Sequence, residues 1–315
     1  IRSMEGDIRS EIEEALLFLA EPEIDESNCS CLRLTRGHHC DSFEYFNRNL
    51  PKPSIYNLPR ISKKKLQMFS AEGRFSLHDI DEEEVSGNQL SVLIAAKSNA
   101  PAIDEEKIHA FFEKVQYPLY FLDYETYSSA IPIIDGVKPY THIPFQFSIH
   151  VKESKDTTEI QHHEYLAETA ELPLRMIEQL ENIIGSEGNI VAWHKTFENQ
   201  RNEEFAKAYP EKAEFLLDLV ERTIDLEDIF KGGYVDIAFG GSTSIKKVLP
   251  VIAPDLTYEG LTVANGTDAM VAFEEMLTLL RGPKRDKLRD EMLRYCKLDT
   301  LAMVRIFEKM EEYIK

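Results

Sequence analysis

The chain lacks most of the features that would tie it to a membrane, a secretory route or a nucleic-acid surface. No run approaches 18 apolar residues, so no transmembrane helix and no membrane partner are expected. The opening Ile1-Arg2-Ser3-Met4-Glu5 holds no apolar stretch of signal-peptide type, so a cytoplasmic location is the expectation. A chain that opens on Ile1 is also compatible with being a piece of something longer. Cysteine is scarce: Cys29, Cys31 and Cys40 cluster early and Cys296 stands alone, so no disulfide framework is expected. Basic residues are outnumbered 36 to 56, for a net charge of −20. That argues against charge-driven wrapping on duplex nucleic acid, though not against a local basic groove or a metal-bridged substrate. There is no internal repeat and no low-complexity tract. What is present is globular: 43% hydrophobic and 10% aromatic residues over 315, enough for a large core domain with a smaller one.

The most apolar run, Tyr117-Pro-Leu-Tyr-Phe-Leu-Asp-Tyr-Glu-Thr-Tyr127, ends in an Asp-x-Glu pair, Asp123 and Glu125. In a strand, residues two apart share a face, so both carboxylates project together from a buried element. Two converging anions on a rigid support are costly unless a cation or a proton neutralises them, which makes a divalent metal site the natural hypothesis. The Asp-Leu-Glu at 225–227 warns that such pairs also arise by chance.

Residues 7–20 read as an amphipathic helix, followed by a cysteine-bearing loop and a proline-broken stretch over 50–62. Ser62 begins a short helix, and Ser76 to Ile80 looks like the capped start of another. This gives a small, mainly helical region over 1–100, too polar to hold a large core alone. From Asp104, which caps a helix carrying Ile108, Phe111, Phe112 and Val115, the pattern changes. Strands are expected at 117–127, at 144–151, at 164–166 and at 189–193, with helices over 172–184, 198–208 and from about 283 to the end. Interleaved strands and helices predict an α/β domain with a mixed sheet over 104–315.

Further carboxylates and polar groups stand where they could complete a metal site. Tyr295 and Asp299 are four apart on the last helix and share one face. The strand Ile190-Val-Ala-Trp193 ends in His194-Lys195-Thr196-Phe197-Glu198, where Phe197 is expected to anchor the next helix in the core and Glu198 to point back at the sheet edge. Ser242, Thr243 and Ser244 with Lys246 and Lys247 could bind phosphate at a helix N-terminus, or be simple caps and solvated lysines. Trp193 reads as core packing, with base stacking the sharper alternative. Cys296 reads as a small packed residue.

Asp-x-Glu, Phe-Glu and Tyr-x-x-x-Asp, in that order, resemble the three motifs of the DEDD (DnaQ-like, RNase H-fold) 3′–5′ exonucleases, in the tyrosine branch that includes RNase D and polymerase proofreading domains. The resemblance spans roughly 117–310, and Gly240 to Leu249 resembles the Ser-Leu-Lys helix start between the second and third motifs. It implies an RNase H-like sheet flanked by helices and phosphodiester hydrolysis at a single-stranded 3′ end of DNA or RNA. It also implies two Mg²⁺ or Mn²⁺ ions. In that scheme Asp123 bridges the ions, Glu125 and Asp299 complete one, Glu198 supports the second, and Tyr295 positions the water. Lys246, Lys247, Ser244 and His194 would face nucleic acid. Two departures stand out: Glu198 replaces the usual Asp, and His194 replaces a common Asn. Asp225 could supply or replace the fourth carboxylate. The departures leave a second reading, a catalytically impaired RNase H-fold interaction module.

More narrowly, the chain resembles a bacterial family in which such a domain follows a RecB-type nuclease with a cysteine-bound iron–sulfur cluster. Gly37 to Phe46 and Ile55 to Lys65 resemble the tail of that first domain, with Phe46 where its last cysteine would stand. Cys29, Cys31 and Cys40, with His38 and His39, have zinc-ligand chemistry but no standard finger spacing. They read as a remnant, so neither zinc nor a cluster is expected there.

Overall fold

The computed structural model describes residues 4–21, 23 and 29–314; Ile1, Arg2 and Ser3 of the opening segment lie outside them. The chain divides into two compact units, one ending at Ile80 and the other starting at Asp81.

In the first unit, α1 (Glu5–Leu19) forms where the periodicity predicts, yet none of its side chains is buried. A single turn, α2 (Phe43–Phe46), and α3 (Lys63–Ala71) follow, and Ser62 Oγ caps α3 by accepting from the Lys65 amide at 3.2 Å. Ile55, Leu66, Phe69, Leu77 and Ile80 are fully buried and form its centre. The helix expected from Ser76 is only a 3-10 turn, Leu77–Asp79. Ser76 is still paired in an extended bridge with Ser54, and Leu77 and Ile80 are buried within one turn, so the chain has no second turn to bury.

The second unit begins with α4 (Asn88–Ser98), whose Val92, Leu93, Ala95 and Ala96 are buried, so the division falls ahead of the residue-100 boundary suggested by composition. A two-residue ribbon pairs β1 (Ala102–Ile103) with β7 (Tyr234–Val235). Asp104 caps α5 (Glu105–Phe112) by accepting from the Lys107 amide. The main sheet has five strands: β2 (Leu119–Tyr127), β3 (Ile143–Lys152), β4 (Gln161–Leu166), β5 (Asn189–Ala192) and β6 (Thr223–Asp225). Their order is β4-β3-β2-β5-β6. β3 is antiparallel to both neighbours, whereas β5 and β6 run parallel to β2. The helices α6 (Leu174–Ile183), α7 (Thr196–Ala208), α8 (Ala213–Arg222), α9 (Ile245–Ile252), α10 (Gly266–Thr278) and α11 (Pro283–Glu312) complete a mixed α/β domain, the class expected from the sequence.

Both faces of β2 are covered, which is why its sequence is nearly continuous in apolar residues instead of alternating. Tyr120, Leu122 and Tyr124 pack with Met176 and Leu180 of α6 and Leu219 of α8. Leu119 and Phe121 pack on the other face with Ile108, Val248, Met303, Ile306 and Phe307. Each fully buried side chain of this kind stabilises the fold by about 1.5–3 kcal/mol, so the strand is fixed before its polar end is reached. At its start, Gly188 (φ 83°) lies so close to Pro118 that a Cβ would sit 1.9 Å from the Pro118 carbonyl oxygen.

Candidate metal centre

The sheet opens a notch at the carboxyl end of β2. β5 pairs with β2 only from Leu119 to Phe121, whereas β3 continues beside it to Tyr127. Beyond Phe121, β2 therefore has a strand neighbour on one side only, at the boundary between antiparallel and parallel pairing, where open α/β sheets characteristically place ligands. Asp123 and Glu125 follow Leu119 and Phe121 on the same face, and a register shift occurs directly after Glu125. Such irregularities are frequent beside functional sites because they re-aim side chains.

Two helices bring the other carboxylates. The first turn of α7, directly after β5, carries Glu198, which is buried. α11 crosses β2 and β3 and presents buried Tyr295, Cys296, Asp299 and Thr300. Its register is pinned by Gln146 Nε2 donating to the Met292 carbonyl at 2.9 Å. Thr300 Oγ1 adds contacts with Ser148 Oγ (2.7 Å) and His150 Nδ1 (2.8 Å). Asp299 is thus set by three polar ties between helix and sheet.

The four acids act on one another. Burial, then the charges of Asp299, Glu125 and Glu198, push the Asp123 carboxyl well above the usual carboxylate range. Burial and the charge of Asp299 push Glu125 up, opposed by the Lys246 ammonium. Glu198 rises to about 8 through burial, opposed by its own backbone amide. Asp299 rises to about 6 through burial, held down by hydrogen bonds from Tyr258 and Tyr295 and by Lys246. The Tyr258 hydroxyl donates to Asp299 Oδ1 at 2.6 Å. Lys246 Nζ donates to the Tyr295 hydroxyl at 3.1 Å and to the Ala264 carbonyl at 2.5 Å, beneath both tyrosine rings. Among the described residues none of the four acids has an ion pair within 4.0 Å, and Glu198 Oε2 is buried without any hydrogen-bond partner. An orphaned buried carboxylate oxygen whose charge is felt by Asp123 and Glu125 suits an oxygen-rich divalent-cation site.

The sequence-predicted residues separate accordingly. Asp123, Glu125, Glu198, Tyr295 and Asp299 come together. Asp225, at the end of β6, lies close enough to raise Glu198 but is already engaged. Its Oδ1 accepts from the His194 and Glu227 amides at 2.9 and 3.2 Å, and its Oδ2 pairs with Lys231 Nζ at 3.3 Å. It serves as the turn cap that one of its two readings describes. His194, at φ 65°, directs Nδ1 to Glu227 Oε2 at 3.1 Å. Phe197 is only partly buried, against His142 and Arg201, because the α7 turn buries Glu198 in its place. Ser244 makes no side-chain cap, Thr243 Oγ1 donates to Glu227 Oε1, and Lys247 is exposed. Trp193 stacks on Phe230 and donates Nε1 to the Thr243 carbonyl at 3.0 Å.

Lys246, expected to face phosphate, instead reaches into the carboxylate cluster. Tyr258 was not legible as a site residue: nothing local marks it, and only the fold sets it 41 residues before its partner Asp299. In the first unit, His39 stacks on Phe43 and bonds the Leu34 carbonyl, and His38 bonds Thr35 Oγ1. Cys29, Cys31 and Cys40 are unpaired, and the metal-ligand group formed by the described residues is Asp123, Glu125 and Cys296.

A family model described as Domain of unknown function (DUF2779) matches residues 120–244, from β2 to the loop before α9. That span includes Asp123, Glu125 and Glu198 but not Tyr295 or Asp299. The chain is 25% identical over 268 residues to Uncharacterized protein MG366 of Mycoplasma genitalium, covering 76% of this chain and 40% of the relative. It is 27% identical over 230 residues to the MG366 homolog of Mycoplasma pneumoniae, covering 66% and 34%. It is 26% identical over 234 residues to Uncharacterized protein UU173 of Ureaplasma parvum, covering 67% and 33%. The chain thus spans two fifths or less of the length of these curated relatives. No solved structure matches it.

Proposed function

We propose that the second unit is a divalent-metal-dependent 3′–5′ exonuclease of the DnaQ-like, RNase H-fold type, acting on single-stranded ends of DNA or RNA in the cytoplasm. The observation that carries this reading is the convergence of Asp123, Glu125, Glu198 and Asp299 from three elements, with Glu198 Oε2 unpartnered. The mixed sheet with helices on both faces is the architecture that resemblance implies. Mg²⁺ or Mn²⁺ suits the all-oxygen donor set. When bound, two ions supply a nucleophile at neutral pH and offset charge on the phosphoryl oxygens.

The chain's own groups take the remaining roles. Asp123 and Glu125 hold ions from the strand, while Glu198 and Asp299 hold them from the helices. The Tyr295 hydroxyl, fixed by Lys246, orients the attacking water. Tyr258 fixes the Asp299 carboxylate through its 2.6 Å bond. A site filled by a lysine or closed by a salt bridge would favour the interaction module; Lys246 does reach into the cluster, but it ends on Tyr295 and Ala264 and makes no ion pair with a carboxylate. The test is degradation of 3′- and 5′-end-labelled single-stranded DNA and RNA with Mn²⁺. Wild type should shorten the strand from its 3′ end and Asp123→Ala should not. Equal activity in the two proteins would sink the assignment.

A further inference from the structure

Cys296 stands in this cluster, and its sulfur alters which ions the site can take. Its thiol is buried and lies 3.7 Å from Asp123 Oδ2 and 3.9 Å from the Asp123 carbonyl oxygen. Donor atoms of Asp123, Glu125 and Cys296 lie within 4.8 Å of one another. In tetrahedral zinc, an oxygen bond of about 2.1 Å and a sulfur bond of about 2.3 Å place the two donors roughly 3.6 Å apart. The Cys296 thiol donates to Asp123 Oδ2 across 3.7 Å, and this is also the spacing that the two atoms would have on zinc. Two acids and a thiol alone would not define a site. The second observation is Glu198, 5% exposed with Oε2 unpartnered, whose charge bears on both Asp123 and Glu125. Glu198 Oε2 is therefore one oxygen ligand of the cluster without a protein partner. Asp123 is partly exposed, so the group is open on its solvent side.

We propose that Asp123, Glu125 and Cys296 form a thiolate-containing site for Zn²⁺, and that Zn²⁺ bound there displaces the Mg²⁺ or Mn²⁺ of the nuclease reading. This rests on the assignment of Asp123 and Glu125 as metal ligands. Thiolate favours zinc and is a poor ligand for magnesium and manganese, which prefer oxygen. Because Asp123 and Glu125 serve both arrangements, the two occupancies exclude each other, and zinc becomes an inhibitor selected by one side chain.

The test uses the full chain with Cys29, Cys31 and Cys40 replaced by serine, so that Cys296 is the sole thiol. Metal-free protein is titrated with Zn²⁺ and Mn²⁺ against a chelating dye. It is also titrated with Co²⁺, followed in the near-ultraviolet for thiolate-to-cobalt charge transfer. The expected result is a charge-transfer band that disappears in Cys296→Ser, with Zn²⁺ affinity falling at least a hundredfold and Mn²⁺ affinity changing less than threefold. Asp123→Asn, which keeps the thiol, should lose both Zn²⁺ and Mn²⁺ binding, and cooperative thermal unfolding at or above the wild-type midpoint in each variant excludes misfolding. No cobalt–sulfur band, or equal Zn²⁺ affinity in Cys296→Ser, overturns the proposal while leaving the nuclease reading intact. Wild type that binds Zn²⁺ through Cys296 but neither binds Mn²⁺ nor degrades nucleic acid sinks the nuclease reading instead.

Discussion

Glu198→Gln separates the two demands that the proposed metal site places on this carboxylate, because it removes the charge while keeping the shape. Burial holds the Glu198 carboxyl at about 8 in the folded protein, against an ordinary glutamate value of 4.5. At about 1.4 kcal/mol per pH unit, the folded state favours the neutral acid by ~5 kcal/mol as a ceiling. Well below pH 4.5 the acid is neutral in both folded and unfolded chains, and its full contribution to stability is present. As pH rises from 4.5 to 8 the unfolded chain loses the proton while the folded protein still holds it. Stability therefore falls across that window and levels off above pH 8. Glutamine does not titrate, so the variant escapes the loss. In EDTA, Glu198→Gln should match wild type near pH 4 and exceed it by about 2–4 kcal/mol at pH 8.5, the lower figures allowing for relaxation around a buried charge. With Mn²⁺ the order should reverse at pH 8.5, because the ion stabilises the ionised carboxylate and gains little from the amide. The assay is urea unfolding followed by Trp193, the single tryptophan, which lies at the end of β5 beside the α7 turn. Parallel stability–pH curves for the two proteins in EDTA would refute the reasoning.

Gly188→Ala should destabilise the second unit by more than ~3 kcal/mol, because its Cβ would meet the Pro118 backbone at 1.9 Å on a positive-φ residue; a urea midpoint equal to wild type would contradict this. Tyr295→Phe removes the hydroxyl between Lys246 and Asp299 and should cut turnover roughly a hundredfold while Mn²⁺ affinity stays within a few-fold, as single-turnover kinetics and dye competition would show. Unchanged turnover would remove the water-orienting role from Tyr295.

Much of the fold was legible because the elements that build it carry strong local signals. Asp104 and Ser62 cap the helices that the sequence pattern starts at them, and the run at 117–127 becomes the central strand. The Tyr-x-x-x-Asp spacing becomes one face of a single 30-residue helix, α11. Shorter elements escaped. β6 has three residues, and its identity as a strand depends on pairing with β5 rather than on its own pattern. The α1 periodicity predicts the helix but not the exposure of its apolar residues, since burial depends on a partner and periodicity does not supply one. Phe197 misses its expected place in the core for a related reason: helical phase at the first turn of α7 is set by the tight His194 turn, which the sequence does not announce.

The candidate site shows what would distinguish a ligand from an ordinary acid in a chain with 56 of them. Acidity and spacing favour Asp225 nearly as well as Glu198, since one ends a parallel strand and the other stands in the helix after one. The difference lies in what each has already accepted. Asp225 takes two backbone amides and the Lys231 ammonium, and drawing it onto an ion would strip the cap from the following turn and leave Lys231 with two remaining acids, Glu227 and Asp228. Losing a cap costs about 1 kcal/mol and exposing buried donors costs more, so Asp225 resists that movement. Glu198 has the opposite balance: its folded environment leaves one oxygen empty and burdens the other acids with its charge. A cation removes both penalties at once. On the proposed nuclease reading, the extra methylene of Glu198 therefore weighs less than its lack of partners, and Glu198, not Asp225, is the carboxylate expected to hold the ion.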